Sequence, residues 1–498
     1  MSASTERTAC LAPRGAGLRG AEVCSFLLAR WGERYSSRML RSVLGFALVA
    51  SLSLPALAAT RTVGNGKEFA APCAAIAAAD AGDVIEIDAG TYARDMCAIN
   101  KRGLTLRGVG GRPIVDAQGG GFGGKGIWVV SADDVTIENL ELRNAAVPDK
   151  NGAGIRQEGA NLTVRDVVFR DNQNGILAGD NPNSTITIEG CEFVGNGAGD
   201  GQSHNLYINH VQKLVFRGNW THQAKVGHLL KSRAAESLIE ANRITGEEGT
   251  SSYELEFPNG GFTIVRGNVI EQGPNTENPA ILSYGAEGAH ARNPSHDLIV
   301  SHNTFVNHRN GSTTFVRVAD AMLDGELHIL NNIFSGSGTV SNATVTEIGS
   351  CTTPTFVDAV SFDFHQAAGS ACLDNGSADL DERARPTLQY VHPTSTEGRV
   401  FVGAPDPGAF ELGGGVPPGS SSSGGSSSGG TAPGGSSSGA TGSSGALGAS
   451  GSSGASGDAA ADDDTEGDDG CGCHTSSSPV SGLMLFFGAL LLLRRRPS

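Results

Sequence analysis

The 498-residue chain is short of several things at once. Aromatic residues make up 6% of it, and 36 Lys and Arg face 52 Asp and Glu, for a net charge of −16. A deficit of basic residues excludes a general nucleic-acid binder, which needs a basic face. Between the two ends no CxxC or CxxH spacing occurs, which excludes a thiolate zinc site. The acidity is also uneven. Asp458, Asp462, Asp463, Asp464, Glu466, Asp468 and Asp469 gather near the C-terminus, so the remainder is closer to neutral. Net charge therefore says little about a substrate. What the chain has in excess is Gly, 71 residues of it.

The ends read as addresses. From Met39 the sequence MLRSVLGFALVASLSLPALAA has a short positive start, an apolar stretch and a small-residue cleavage site after Ala58 or Ala59. This is the pattern of a secretory signal peptide, so residues 1–59 form a leader. Residues 413–470 are first Gly/Ser-rich and then acidic, a composition that cannot bury enough apolar area to fold. The Gly/Ser part is a flexible tether with a reach on the order of 35 Å. Residues 471–498 carry Cys471 and Cys473, an apolar run over 480–493, then Arg494, Arg495 and Arg496. The three parts in that order resemble the myxobacterial-type C-terminal sorting signal, which implies a surface-attached product. The alternative is a plain membrane anchor, with the arginines on the cytoplasmic side. Both imply export to the cell surface, with membrane contact through this segment and a monomeric chain.

The remaining cysteines agree with export. Cys73 and Cys97, and Cys351 and Cys372, are each little more than twenty residues apart in loop-rich sequence, a spacing that suits disulfides in an oxidising compartment. Cys191, in ITIEGCEF, reads as a buried free thiol.

Between these ends lies a repeat. VTIENLELRNA begins at Val135, LTVRDVVFRDN at Leu162, ITIEGCEFVGN at Ile186 and LVFRGNWTHQA at Leu214. Related segments follow at Ser237, Phe262, Leu298 and Leu327, the starts differing by 27, 24, 28, 23, 25, 36 and 29. Period-2 alternation marks half-buried strands, and a period in the middle twenties marks one coil of a solenoid. Asn219, Asn242, Asn268, Asn303 and Asn332 fall at equivalent corners, where side-chain amides can bond up the stack. The pattern resembles the right-handed parallel β-helix of the pectin-lyase-like superfamily over residues 60–340. That resemblance implies an all-β, single-stranded solenoid. The Ala-rich stretch 69–83 reads as a helix capping its open N-terminal end, and residues 341–412 as loops and a C-terminal cap.

Each coil has a further strand after the Asn corner, and alternation assigns its faces. Leu206, Ile208, Leu230, Tyr253, Leu255 and Phe257 are expected inside. Asn205, Tyr207, Lys231, Arg233, Glu254 and Glu256 are expected outside on neighbouring coils, rimmed by His204, His222 and His290. His228 has the inward parity. Elimination of a uronate polymer needs a cation on the C6 carboxylate, a base for the C5 proton and an acid for the leaving oxygen. Lys231 reads as the base, Arg233 as the carboxylate clamp, and Tyr207 or His204 as the proton donor. The glutamates would raise the Lys231 pKa unless they bind a Ca2+ ion that bridges to substrate. Glu254 and Glu256 also suit an acid/base pair for glycoside hydrolysis. A third alternative is a cross-strand charge ladder on a non-catalytic adhesin. The superfamily contains lyases, hydrolases, epimerases and adhesins, and fold does not choose among them. The reading is an exported polysaccharide lyase acting on an acidic polysaccharide.

Overall fold

The computed structural model describes residues 58–322 and 325–416. The leader up to residue 57, the tether from residue 417 onward and the C-terminal Cys/apolar/Arg segment lie outside the described residues; the first residues expected in the tether are ordered instead, Gly415–Val416 pairing antiparallel with Ser395–Arg399. The described chain is an all-β, right-handed parallel β-helix of about ten coils. One coil shows the plan. Val211–Arg217 runs to a corner at Asn219, Trp220–His222 follows, a connection leads to Leu230–Ser232, and a short turn feeds Glu236–Glu240. Stacked strands of the third kind make a ten-stranded sheet that starts with Cys97–Ile99 and ends with Gly338–Ser341.

Parallel stacking in register puts like on like. In the ten-stranded sheet Ile176 lies opposite Leu206, Leu230 opposite Leu255, Leu255 opposite Leu282 and Leu282 opposite Val316. All are fully buried. Each such aliphatic side chain contributes about 1.5–3 kcal/mol of transfer free energy, and every coil adds several. The β-branched residues at these positions also fit a pleated, two-sided packing surface.

The polar corners hold the register. Asn219 N donates to Asn242 Oδ1 (2.9 Å), Asn242 N to Asn268 Oδ1 (2.9 Å), Asn268 N to Asn303 Oδ1 (3.0 Å) and Asn303 N to Asn332 Oδ1 (2.9 Å). Each Nδ2 of those four also donates to a carbonyl on the coil before it, as Asn242 does to Phe216 (2.9 Å). All five side chains are buried. A second ladder, absent from the sequence reading, runs through Asn172, Asn196 and Asn205. It takes Asn205 into the interior, although alternation had placed it outside.

Two disulfides form, Cys73–Cys97 and Cys351–Cys372, and Cys191 is a buried free thiol pushed up to about 12 by burial. The first disulfide ties down the short helix Pro72–Ala78, whose Ala75 and Ile76 join the main core. Residues 356–412 lie along the side of the coils, with Phe356 and Cys372 also packing on Ile333 of the last coil. Phe364, Tyr390 and Phe410 pack against Val269 and Val306 on the outer face of the larger sheet.

Replacing Asn242 by Ala strips one buried donor and one buried acceptor of their partners. Each orphan group costs about 1–3 kcal/mol, so the urea midpoint of Asn242→Ala is expected to fall by the equivalent of about 3 kcal/mol. The exposed Asn183→Ala is expected to stay within about 0.5 kcal/mol. Equal midpoints for the two variants would contradict a structural role for the ladder.

Candidate active site under a strap

On the outer face of the ten-stranded sheet, Tyr207 lies opposite Lys231 and Lys231 opposite Glu256. Their strands are three residues long, so one side chain in each points out. Lys231 Nζ sits 2.9 Å from Glu256 Oε2, and His228 Nε2 reaches the same oxygen at 2.9 Å. Arg233, in the turn after its strand, donates from Nε to the Tyr207 hydroxyl (3.0 Å) and from Nη1 to Asn259 Oδ1.

These groups are outward yet covered. Lys231 is 1% exposed and Arg233 4%. The cover is a strap, residues 285–297, between Ala280–Tyr284 and Leu298–Ser301. It begins at Gly285 with φ +79°, where an added Cβ would lie 2.2 Å from Met322 Cγ, so the turn requires glycine. Glu287 N bonds to Pro258 O (2.9 Å), Asn293 Nδ2 to Asn259 O (3.0 Å), and Arg292 pairs with Asp180 at 2.5 Å. His290 stacks on His210 with centroids 3.9 Å apart. Glu287 then places one carboxylate oxygen 3.2 Å from Lys231 Nζ and the other 2.7 Å from Arg233 Nη2. Beside the strap opens a cleft of about 270 Å³, lined by His210, Glu236 and Arg292 among others.

The electrostatics revise several expected roles. Burial alone would lower the Lys231 pKa, but Glu256 and Glu287 outweigh it and hold the ammonium above its ordinary value. Lys231 is therefore a fixed cation and not a base. Burial would raise Glu256, yet His228 and Lys231 beside it bring its pKa down. His228 Nδ1 accepts from Tyr253 N (3.3 Å), which leaves the ring proton on Nε2, facing that carboxylate. His204 is not on a rim. It is 3% exposed and stacks on His228 at 4.6 Å. Its Nδ1 accepts the His228 backbone N–H (3.0 Å). Burial, then His228 and Lys231, push its pKa well down, so it is neutral and occupied.

Glu254 is the clearest correction. Its position matches Leu229 of the coil before, whose side chain lies in the core. Both precede their three-residue strands, where the chain is still turning and alternation has not begun. Glu254 points inward, fully buried, and accepts from Ser251 Oγ (3.2 Å) and Thr276 Oγ1 (3.0 Å). Burial and then the nearby Glu271 raise its pKa well above the usual carboxylate range. Glu254 and Glu256 thus occupy opposite sides of the sheet and do not form a hydrolytic pair.

His222 is also elsewhere, on the face of Trp220–His222, between Glu192 (3.3 Å) and Glu247 (3.2 Å). Of the two glutamates expected to share a Ca2+ ion, Glu254 faces Ser251 and Thr276 inside and Glu256 faces Lys231 and His228 outside, so they do not converge on one point; among the described residues no cluster of three or more His, Cys, Asp or Glu side chains is arranged for a metal. Glu287 was not singled out in the sequence. Its signal is the 36-residue step between repeat starts at Phe262 and Leu298, which marks the inserted strap but not what it carries.

The two glutamates should respond oppositely to pH. Glu256 has a lowered folded pKa, so its contribution is present above about pH 4 and lost below it. Glu254 has a raised one, so it opposes folding increasingly as pH rises above about 4. Glu256→Gln is expected to lower stability at about pH 8 by about 3 kcal/mol and by less at about pH 4. Glu254→Gln is expected to match the parent at the lower pH and exceed it at the higher. Chemical denaturation at both values checks the signs.

The model of the right-handed β-helix region matches residues 117–205, the coils that lead up to this cluster. No curated protein sequence matches the chain significantly. Among solved structures, pectate lyase Pel9A superposes with a TM-score of 0.52 at 15% identity, covering 71% of this chain and 96% of its own. An alginate lyase from Paenibacillus aligns over 59% of this chain and 98% of its own at 13% identity, with a TM-score of 0.34, too loose to argue from. The likeness to Pel9A is one of fold alone and agrees with the right-handed parallel β-helix described above.

Proposed function

We propose that the protein acts on an acidic polysaccharide at the outer face of the ten-stranded sheet, cleaving it by β-elimination. Glu287 is the observation that carries this reading. One carboxylate rests an oxygen on each of two buried cations, and a uronate C6 carboxylate offers the same charge and the same two oxygens. Lys231 and Arg233 then form a clamp, the guanidinium supplying directional donors and the ammonium a point charge. Neutralising a uronate carboxylate stabilises the negative charge that develops when the C5 proton leaves.

Tyr207 is the group we assign to proton transfer, since its oxygen is held by Arg233 Nε and a donor of that kind steadies a phenolate. Phenolate takes the C5 proton, the electron pair forms the C4=C5 bond, the C4–O bond breaks, and the phenol returns the proton to the leaving oxygen. Protons balance without a second acid. The cleft beside the strap provides an approach for a polymer. Pel9A, which shares the fold, is a pectate lyase, and that name is compatible with a uronate substrate without transferring it. The two disulfides support an exported setting, and the sorting or anchor segment would hold the protein at the cell surface.

Substrate has to exchange for Glu287, because lifting the strap alone would remove the carboxylate shared by Arg233 and Lys231, leaving buried charge less compensated at a cost of several kcal/mol. The test is incubation of the chain with polygalacturonate, alginate and glycosaminoglycans, following the ultraviolet absorbance of unsaturated uronate. Tyr207→Phe is expected to lose at least about 100-fold in kcat while still binding polymer. Arg233→Ala is expected to lose binding, and Glu287→Ala to lower KM. New reducing ends without unsaturation would replace elimination by hydrolysis. Retained binding with no product from any polymer would make the protein an adhesin.

A further inference from the structure

The cation cluster is not the molecule's only shaped recess. On a different face, where residues 356–412 lie along the larger sheet, a cleft of about 400 Å³ opens between the two. That volume is within the range of pockets that enclose small ligands. Its floor comes from successive coils, with Arg243 opposite Val269, and Trp220, opposite Arg243 on the coil before, lies behind it. Phe362, Tyr390, His392 and Phe410 from the C-terminal segment form its wall.

The lining of this space and the layer behind it are rich in rings. The Arg243 guanidinium carbon lies 5.2 Å from the Trp220 ring and 5.4 Å from Phe362, which fixes it between the two faces. Trp220 stacks on His222 at 3.8 Å and meets His392 edge-on at 4.7 Å. His365 stacks on Phe410 at 3.7 Å. The charges around them are paired. Asp363 binds His365 at 2.6 Å, Glu397 accepts from Gln389 at 2.7 Å, and Arg243 pairs with Glu247 at 3.5 Å, but the Arg243 Nε–H has no hydrogen-bond partner.

A recess with this lining has no uncompensated charge to offer an ion. It offers aromatic faces to a flat C–H surface, and oxygens and N–H groups at their edges to hydroxyls. A pyranose ring presents both, with axial C–H bonds on its faces and hydroxyls around its rim. An aliphatic ligand would leave the Arg243 Nε–H without a partner, at a desolvation cost. We propose that this cleft binds a single uncharged sugar residue, on a site separate from the clamp for uronate. The wall segment and the sheet make it jointly, which gives the lateral packing of residues 356–412 a binding role as well as a structural one.

The experiment uses the full chain and methyl glycosides of glucose, galactose, mannose and xylose, titrated by saturation-transfer NMR and tryptophan fluorescence. Of the three tryptophans Trp31 lies outside the described residues and Trp128 is fully buried, while Trp220 packs against the lining groups Arg243 and His392, so the spectral change is expected to vanish in Trp220→Phe while NMR binding persists. Phe362→Ala is expected to weaken Kd at least tenfold, with thermal unfolding checked to show that it folds. Lys231→Ala is expected to leave Kd unchanged, which separates this site from the clamp. Absence of saturable binding by all four glycosides, indifference to Phe362→Ala, or equal affinity for methyl glucuronide would overturn the proposal.

Discussion

A parallel coil gives every side chain two fixed neighbours, the residues one coil before and one coil after, about 4.8 Å away. Most of what is unusual in this molecule follows from that spacing. Apolar residues stack into continuous columns, and amides stack into hydrogen-bonded ladders. Charges placed in one outward column must also meet at that spacing, whatever their sign. Tyr207, Lys231 and Glu256 form such a column, and its alternation of neutral, positive and negative groups is what makes it tolerable. Two cations in adjacent coils would repel. Here the second cation, Arg233, sits beyond the strand in the turn and takes its anion from a different segment.

The same spacing explains how far the sequence could be read. The fold was legible because a period-2 pattern repeated at steps in the middle twenties has few physical solutions besides a solenoid. The corner asparagines were legible because five of them recur at one place in the repeat. Alternation failed at Asn205 and Glu254, and for one reason. The strands of the ten-stranded sheet reach only from Leu206, Leu230 and Leu255 onward, so the residue just before each belongs to a bend. Parity counted through a bend assigns the wrong face. The core position of Leu229, which has the same parity as Lys231, carries that information in a residue type the alternation rule ignored.

Glu287 was not legible for a different reason. A repeat describes residues that have equivalents in other coils, and the strap has none. Its contacts reach Asp180 and His210, two or more coils back, over a sequence distance that no local pattern reports. The 36-residue step tells where extra chain is inserted. Which way that chain folds depends on Gly285, on Asn293 and on the charges it covers, and these act together only in three dimensions.

Those charges impose a condition on the resting state. Lys231 and Arg233 are nearly withdrawn from water, and Glu256 alone is committed to Lys231 and His228. Arg233 pairs with Glu287 and also donates to two neutral groups, Tyr207 and Asn259, and a desolvated guanidinium gains more from a carboxylate than from neutral acceptors. A carboxylate from the strap therefore stabilises the site whenever no external one is bound. That contribution makes the strap part of the site and not a lid added to it. On the proposed function it also sets a selectivity threshold: a ligand would displace Glu287 only by bringing a carboxylate that answers both cations at once, and a neutral polymer in the cleft would leave the strap where it is.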